Sequence, residues 1–340
     1  MLSNLIRYSY KTIYNHYFGN IKSGKIRRFP SNIFVELTNI CNLKCPICPS
    51  RNMKREKGYM DFELYKKIID ECSGYENVDI MLHMFGEPLL HKDLIKMMRY
   101  GKRYSNIKLA FSTNATLLDY ERSKELIDAG LDGIHFSLDG FTKETYEAIR
   151  VGAQFERTVN NIKQFLELHR KSGQPKPVIE IQIIRTKKTR KELQGFVDYW
   201  RKEARGTPSI VSVKEYGTWG GLVDSEDIKR GILCRVPCAS IKFLMGIYWN
   251  GDVIPCCIDP EGYLKMGEVR NNSLLSVWQG DAMRNFRNAH INEEFNKFPF
   301  CNNCESTYRY INIPFVRDVL KRQWFRLIGK KIEFLDIERK

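Results

Sequence analysis

The feature that most constrains the fold of this 340-residue chain is a repeated alternation of apolar runs with amphipathic segments. Six short apolar runs are typical of buried strands, at residues 33–38, 78–84, 108–112, 133–138, 178–184 and 209–214. Amphipathic segments predict helices between them, at residues 62–72, 94–104, 120–129, 155–171 and 190–203. Repeated strand-helix units predict an α/β fold with a parallel sheet that closes towards a barrel. Six units are fewer than the eight of a complete (β/α) barrel, so we expect a partial (β/α)6 barrel with a lateral mouth for a large substrate.

The pattern changes after about residue 225. Residues 243–249, the turn Asn250-Gly251-Asp252 and residues 253–256 predict a β-hairpin, because Asn-Gly suits the positive φ angles of a tight turn. A helix is predicted at residues 273–289, followed by Cys301-Asn302-Asn303-Cys304. We therefore expect a basic N-terminal extension (1–30), a partial barrel (31–224), a small cysteine-rich module (225–310) and a basic C-terminal tail (311–340).

The cysteines fall into groups that favour metal ligation. Of ten cysteines, all but Cys72 lie near residue 45 or after residue 230. No run of about 18 apolar residues and no secretory signal is present, so we expect a cytoplasmic enzyme. In that compartment such grouping favours metal sites over disulfides, and Cys72, in a helical pattern, is expected to be a small buried residue.

The first cysteine group directly follows the first predicted strand. Cys41, Cys45 and Cys48 are spaced by three and two residues, which suits one corner of a 4Fe-4S cubane and leaves the fourth iron without a protein ligand. Zinc is the alternative, since short Cys spacings also occur in zinc ribbons. A structural zinc requires four ligands, however, and no fourth Cys or His lies nearby in sequence.

This segment resembles the C-x3-C-x2-C signature of the radical S-adenosylmethionine superfamily. The resemblance implies that S-adenosylmethionine chelates the open iron and that an electron from the cluster cleaves it to a 5′-deoxyadenosyl radical. Ile47 stands where an aromatic residue is common in the family, and an aliphatic side chain can also pack on adenine.

Further matches to the family follow later strands and cover roughly residues 30 to 215. Phe85-Gly86-Glu87-Pro88 resembles the Gly-Gly-Glu motif for the ammonium group, with Phe85 in place of its first Gly. Ser112-Thr113-Asn114 resembles the ribose segment, Ser137-Leu138-Asp139-Gly140 resembles the segment near the methionine carboxylate, and Arg150 matches an Arg that often follows it. Taken singly, Glu87 is equally well a helix cap and Ser112 a turn residue. The implied cofactor-binding residues are Gly86, Glu87, Ser112, Asn114, Ser137, Asp139 and Arg150.

The C-terminal module resembles the SPASM and Twitch extensions of the superfamily, which bind auxiliary iron-sulfur clusters. The full SPASM pattern needs seven cysteines, and none follows Cys304, so a single second 4Fe-4S cluster is expected. By resemblance to a Twitch dehydrogenase of an aminocyclitol, its ligands are Cys238, Cys256, Cys301 and Cys304. Cys257 is expected to point away from Cys256 because side chains alternate along a strand. Cys257 and Cys234 are kept as alternative ligands of this cluster. The Cys301/Cys304 pair alone would also suit half of a zinc site.

One auxiliary cluster favours oxidation or epimerisation of a sugar, a cyclitol or a lipid-linked glycan, because a cluster behind the substrate can accept an electron. Arg185, Glu215 and Tyr216 end the fifth and sixth strands and are candidate catalytic residues, although they suit surface packing equally well. A peptide maturase is the alternative enzyme, and residues 1–30 look short for a precursor-binding domain. A non-catalytic iron-sulfur electron carrier is the third hypothesis. Glu87 and Ser112 to Asn114 argue against it, because a carrier needs no nucleoside site.

Charge is concentrated at the two ends of the chain. Of a net charge of +15, residues 1–30 supply +6 and residues 311–340 supply +4. Residues 315–331 form a basic amphipathic pattern that suits an anionic membrane face, as does the segment 2–18, and both suit packing on the barrel equally well. The expected partners are the substrate, an electron donor such as flavodoxin or ferredoxin, and a membrane surface, with no nucleic acid.

Overall fold

A nine-stranded sheet is the frame of the structure, a computed structural model that describes residues 26–223, 233–304 and 307–310. The strands are β1 Asn32–Val35, β2 Val78–Met81, β3 Ile107–Thr113, β4 Gly133–Ser137, β5 Val178–Arg185, β6 Ser209–Glu215, β7 Leu233–Arg235, β8 Leu244–Ile247, β9 Asp252–Ile254, β10 Gly267–Glu268 and β11 Tyr308–Tyr310. In the large sheet the order is β10-β9-β8-β1-β2-β3-β4-β5-β6, and β11 pairs with β7 separately. From β8 to β6 all neighbours are parallel, which confirms the predicted partial barrel.

Helices follow the strands as the amphipathic patterns predict. They are α1 Phe62–Ser73, α2 Leu94–Gly101, α3 Tyr120–Asp128, α4 Lys143–Ile149, α5 Phe155–Ser172, α6 Leu193–Glu203, α7 Leu274–Trp278, α8 Asp281–Ile291 and α9 Pro299–Asn302. Short 3-10 helices occur at Pro49–Arg51, Pro88–Leu90, Ala239–Lys242 and Phe295–Lys297. Asp61 and Asp119 begin α1 and α3 by accepting hydrogen bonds from backbone N–H groups of the first turn.

The main core lies between the sheet and the helices that cover its outer face. Alternate strand residues such as Ile80, Leu109, Phe111, Ile134 and Ile181 are fully buried there. They pack with apolar side chains of the helices, among them Ile68, Leu126, Ile162, Phe165 and Phe196. Because strand side chains alternate, the intervening residues of β2 to β6 point into the barrel, and they form the inner wall described below.

The predicted hairpin forms as β8 and β9, and Gly251 in its turn has φ +96°. It continues the barrel sheet, because β8 pairs in parallel with β1. The single helix predicted at residues 273–289 is wrong: Gly280, with ψ 165°, separates α7 from α8. The glycine also lies close to the preceding turn, since a Cβ there would lie 3.0 Å from the Ser276 carbonyl oxygen.

The proposed domain boundary near residue 225 and the two basic amphipathic segments, 2–18 and 315–331, lie outside the described residues. Within the described part of the chain, none of the helices is long and apolar enough to span a membrane.

Candidate functional site

The first cysteine group lies on a loop at the carboxyl end of β1. Cys45 is buried, and Cys41 and Cys48 are half-buried. The loop is shaped by short-range hydrogen bonds: Leu43 N–H donates to Cys41 Sγ at 3.4 Å and Cys48 N–H donates to the Cys45 carbonyl at 3.1 Å. Burial, with charges on Glu87, Cys45 and Cys48 adding to it, raises the pKa of Cys41 to about 12. The pKa of Cys45 is raised as well, again chiefly by burial, so metal binding at Cys41 and Cys45 has to displace their protons.

Arg150 connects this loop to the end of β4. Its Nη1 lies 3.9 Å from Cys45 Sγ, and its Nη2 donates to the buried carboxylate of Asp139. Asp139, at φ +58°, also accepts a hydrogen bond of 2.7 Å from Ile184 N–H of β5. A backbone hydrogen bond of 2.9 Å from Lys44 N–H to the Val151 carbonyl adds a second link. The ends of β4 and β5 thus fix the position of the cysteine loop.

Gly86 and Glu87 hold the same loop from the β2 side. A Cβ at Gly86 would lie 2.1 Å from the Thr38 carbonyl oxygen, so only glycine permits this close approach. The buried Glu87 carboxylate accepts hydrogen bonds from Leu89 N–H (3.1 Å), Thr113 Oγ1 (2.7 Å) and Asn114 N–H (2.8 Å). Glu87 therefore caps the 3-10 helix Pro88–Leu90, as the alternative interpretation of this residue expects, and also fastens the end of β3.

The remaining cofactor candidates lie at the ends of β3 and β4. Asn114 Nδ2 donates to Asn42 Oδ1 at 3.0 Å and lies 4.0 Å from Cys41 Sγ. Ser112 Oγ and Ser137 Oγ are 3.0 Å apart, and Gln182 Nε2 donates to Ser137 Oγ at 3.0 Å. Gln182 was missed at the sequence level, although its position opposite Ser137 follows from the β4–β5 register.

Arg185 and Glu215, two of the three candidate catalytic residues, pair with each other. They are in-register partners on β5 and β6, and Arg185 Nε lies 3.2 Å from Glu215 Oε1. Both side chains face solvent, with 41% and 69% of their surface exposed. Tyr216 follows at the end of β6 and is half-buried.

A buried ion pair next to the cysteine loop was also missed. Glu36, fully buried at the end of β1, accepts hydrogen bonds from Arg55 Nη1 (2.9 Å) and Nη2 (2.7 Å). Arg55 also stacks on the Tyr248 ring at 3.6 Å and donates through Nε to the Pro260 carbonyl at 2.9 Å. The pair thereby links the segment after the cysteine loop to the C-terminal module. The signal in the sequence was Glu36 itself, because an acidic residue inside an apolar strand pattern indicates a buried partner of opposite charge.

The second group of cysteines assembles from four separate segments. Cys238 begins the 3-10 helix Ala239–Lys242, Cys256 follows β9, Cys301 lies in α9 and Cys304 follows that helix. Cys301 is buried in one apolar cluster with Ile241, Leu264, Phe286 and Phe300, and Cys238 and Cys256 pack against it. Burial raises the pKa of Cys256 and Cys301, and the charges of Cys238 and Cys304 add to both rises. The four predicted ligands therefore lie in one thiol group.

Strand alternation, the reason for expecting Cys257 to point away from this group, does not hold in the structure. β9 ends at Ile254, so Cys256 and Cys257 lie in a turn where strand alternation does not apply. Burial raises the pKa of Cys257 to about 11, and the charges of Cys238 and Cys304 contribute. The Cys257 thiol thus interacts electrostatically with the second group and is its fifth thiol. Cys234 lies in β7, and its side chain is outside the described part of the chain.

Both thiol groups fit iron-sulfur clusters better than single ions. No three or more His, Cys, Asp or Glu side chains in the described ranges are placed to hold one metal ion. A cluster of four irons is larger than one ion and needs its thiolates farther apart. Thiolates are the soft donors that such clusters take.

Comparison with known proteins agrees with this geometry. The family model of the radical SAM superfamily matches residues 35–178, and the model of an iron-sulfur cluster-binding domain, SPASM, matches residues 238–305. Together they cover more than half of the chain.

Three similar proteins span most of the chain. A tungsten-containing aldehyde ferredoxin oxidoreductase cofactor-modifying protein of Pyrococcus furiosus is 26% identical and aligns 80% of this chain with 86% of its own. The S-adenosyl-L-methionine-dependent 2-deoxy-scyllo-inosamine dehydrogenase of Niallia circulans is 23% identical over 81% of this chain and 93% of its own. Streptococcus suis SuiB bound to its precursor peptide SuiA has the same fold, with a TM-score of 0.62, 18% identity and coverage of 77% and 67%. The chain therefore belongs to the radical S-adenosylmethionine superfamily, carries a C-terminal SPASM domain and is an S-adenosylmethionine enzyme with 4Fe-4S clusters.

Proposed function

We propose that this enzyme oxidises or epimerises an alcohol carbon of a sugar, a cyclitol or a lipid-linked glycan. The observation that carries the proposal is the polar inner wall of the barrel. Complete barrels are filled by bulky branched side chains. Here the inner positions of β3 to β5 hold Ser112, Ser137 and Gln182 in one hydrogen-bonded row. Such a row offers donors and acceptors to hydroxyl groups; Ser112 and Ser137 are also the S-adenosylmethionine candidates, so we assign a substrate hydroxyl to Gln182 beside them.

A second row on the inner wall is polar and electrically balanced. Glu180 Oε1 accepts from Lys214 Nζ and from Ser212 Oγ, each at 2.6 Å, and His135 Nδ1 lies 3.5 Å from Glu180 Oε2. His83 follows β2 and accepts a hydrogen bond from Ser112 N–H at 3.0 Å. Burial lowers the pKa of His135 and lowers that of His83 to about 3, so both rings are neutral at pH 7. The charges of the Glu180 carboxylate and the Lys214 ammonium cancel. This balance suits a neutral hydroxylated ligand better than a strongly charged one.

The cofactors have candidate ligands in the groups described above. We assign Cys41, Cys45 and Cys48 to the first cluster and Cys238, Cys256, Cys301 and Cys304 to the second. We assign Gly86, Glu87, Ser112, Asn114, Ser137, Asp139 and Arg150 to S-adenosylmethionine. When bound, these groups supply a 5′-deoxyadenosyl radical that takes a hydrogen atom from the substrate, and an acceptor for the electron that an alcohol oxidation releases.

Three residues near the carboxyl ends of β5 and β6 remain our candidates for moving the hydroxyl proton. Glu215 is our candidate base, and Arg185 Nε, 3.2 Å from Glu215 Oε1, holds its carboxylate in place. Tyr216 is next to it in the chain and less exposed.

Two relatives support different substrate classes. The Niallia relative, a dehydrogenase of 2-deoxy-scyllo-inosamine, supports the cyclitol class. The SuiB fold, with its bound precursor peptide, keeps a peptide substrate as the second candidate.

The substrate class is tested with candidate alcohols that carry deuterium on the carbinol carbon. We expect deuterium in 5′-deoxyadenosine together with a ketone product or an inverted alcohol. A matched set of short peptides deuterated at Cα and Cβ serves as the comparison. Deuterium transfer from peptides alone would overturn the proposal in favour of a maturase.

The fifth thiol of the second group gives a sharper prediction. Cys256→Ala is expected to lower bound iron by about four atoms per chain and to leave the first cluster in place. Cys257→Ala, a matched change at the next residue, is expected to keep the full iron content. Anaerobic iron analysis and EPR check both variants, and the opposite pattern would make Cys257 the ligand.

A further inference from the structure

We propose that one flank of the cysteine loop is a docking surface for a small acidic protein that carries one electron. The inference rests on the assignment of the first cluster to Cys41, Cys45 and Cys48. A cleft of about 390 Å³ lies between this loop and the turn of the C-terminal module at residues 260–263. Its lining includes Cys48 but neither Cys41 nor Cys45. The cleft therefore reaches the first thiol group from outside the S-adenosylmethionine candidates.

The rim of the cleft is basic. Arg51 and Lys54 line it and are exposed, and Lys44 is exposed on the same loop. The acidic residue in the lining, Glu261, turns its carboxylate to backbone amides, accepting from Lys54 N–H at 2.8 Å and Arg55 N–H at 3.0 Å. Its charge is thus directed inward, whereas the basic side chains face solvent. Such a surface attracts an acidic partner at a distance.

The cleft also exposes apolar side chains of the kind found in transient protein contacts. Leu222 and Tyr263 line it, with 44% and 59% of their surface exposed. A small apolar patch inside a charged rim is typical of weak, short-lived electron-transfer contacts.

The surface is held rigid from beneath. The buried Asp259 carboxylate accepts hydrogen bonds from the backbone N–H groups of residues 261–264, at 2.8 to 3.2 Å. Arg55 Nε donates to the Pro260 carbonyl at 2.9 Å and so fixes this turn to the loop. A preformed surface loses little entropy when a partner binds.

The expected chemistry is a transfer of one electron. The reduced carrier, an acidic protein with a flavin or iron-sulfur group near its surface, would lose one electron, and a cluster held by Cys41, Cys45 and Cys48 would gain it. Cys48 is the thiol that lies on this route. The neutral inner wall of the barrel offers no comparable attraction for an acidic protein.

The test uses the charge-reversal variant Arg51→Glu/Lys54→Glu. Its control reverses two charges on the outer helices, Lys124→Glu/Arg157→Glu, whose parent side chains are also exposed. A purified flavodoxin is the probe, and its Kd for the reconstituted enzyme is measured at low and high salt. We expect the loop variant to weaken binding by about tenfold or more at low salt, with the difference shrinking at high salt. The control variant is expected to bind like the parent.

A second measurement separates docking from catalysis. Formation of 5′-deoxyadenosine is followed with either reduced flavodoxin or dithionite as reductant. We expect the loop variant to lose about tenfold of the flavodoxin-driven rate and to keep the dithionite-driven rate. Parent-like binding and rate in the loop variant, or equal losses in the control, would overturn the docking surface. Absence of dithionite-driven cleavage in the parent would instead overturn the assigned function, and the binding comparison would still decide the docking surface.

Discussion

Cys45→Ala is expected to lower bound iron by about four atoms per chain and to abolish 5′-deoxyadenosine formation. Cys45 is the buried member of the first thiol group, and its sulfur faces Arg150. Two remaining thiols cannot hold the corner of a cubane that leaves one iron open. Anaerobic reconstitution, iron analysis and product chromatography after dithionite addition measure the effect.

Cys72→Ala is the matched control for this prediction. Cys72 is fully buried in α1 and belongs to the apolar core. Its loss is expected to cost about 1 kcal/mol of unfolding free energy and to leave iron and nucleoside formation unchanged. Full iron content in Cys45→Ala, or loss of iron in Cys72→Ala, would contradict the assignment of the first cluster.

Arg55→Met is expected to lower the free energy of unfolding by about 3 to 5 kcal/mol, because it leaves the Glu36 carboxylate buried without its partner. Only 11% of the Arg55 side chain and none of the Glu36 side chain is exposed. Denaturant titration of the reconstituted protein under anaerobic conditions measures the change.

Lys66→Met is the control, since its pair with Glu63 lies at the surface and is expected to contribute at most about 1 kcal/mol. Glu36→Gln/Arg55→Met is expected to recover part of the loss by removing the unpaired charge. A loss in Arg55→Met no larger than that of Lys66→Met would show that the buried pair does not join the loop to the module.

The loss of unfolding free energy in Arg55→Met, called the deficit below, is also expected to depend on pH. Burial raises the pKa of Glu36, and removal of Arg55 removes the charge that opposes this rise. A carboxyl group whose pKa is higher in the folded state favours folding when protonated. The deficit is therefore expected to be larger at pH 8 than at pH 6, which the same titrations at both pH values measure.

The barrel was predictable because its strands are local apolar patterns. β3, β4 and β5 lie within about a residue of the predicted runs, since burial on the outer face selects Ile, Leu and Phe at alternate positions. The break at Gly280 was missed because a single glycine inside an amphipathic pattern is compatible with a continuous helix.

The site was only partly predictable, because its contacts join distant parts of the chain. The cysteine loop and the ends of β2 to β4 follow from motifs along the sequence. The Glu36 contacts with Arg55 and with Trp249 N–H, the latter at 3.3 Å, span 19 and 213 residues and have no local pattern. By contrast, the Arg185–Glu215 pair follows from sheet register once β5 and β6 are placed side by side.

The central claim is that this chain cleaves S-adenosylmethionine with two 4Fe-4S clusters in place. The most direct measurement is iron analysis of the anaerobically reconstituted protein, followed by dithionite and S-adenosylmethionine addition and quantification of 5′-deoxyadenosine. We expect about eight irons per chain and nucleoside formation. Bound zinc in place of iron would contradict the claim. Intact clusters without nucleoside would also contradict it and leave a non-catalytic iron-sulfur protein as the explanation.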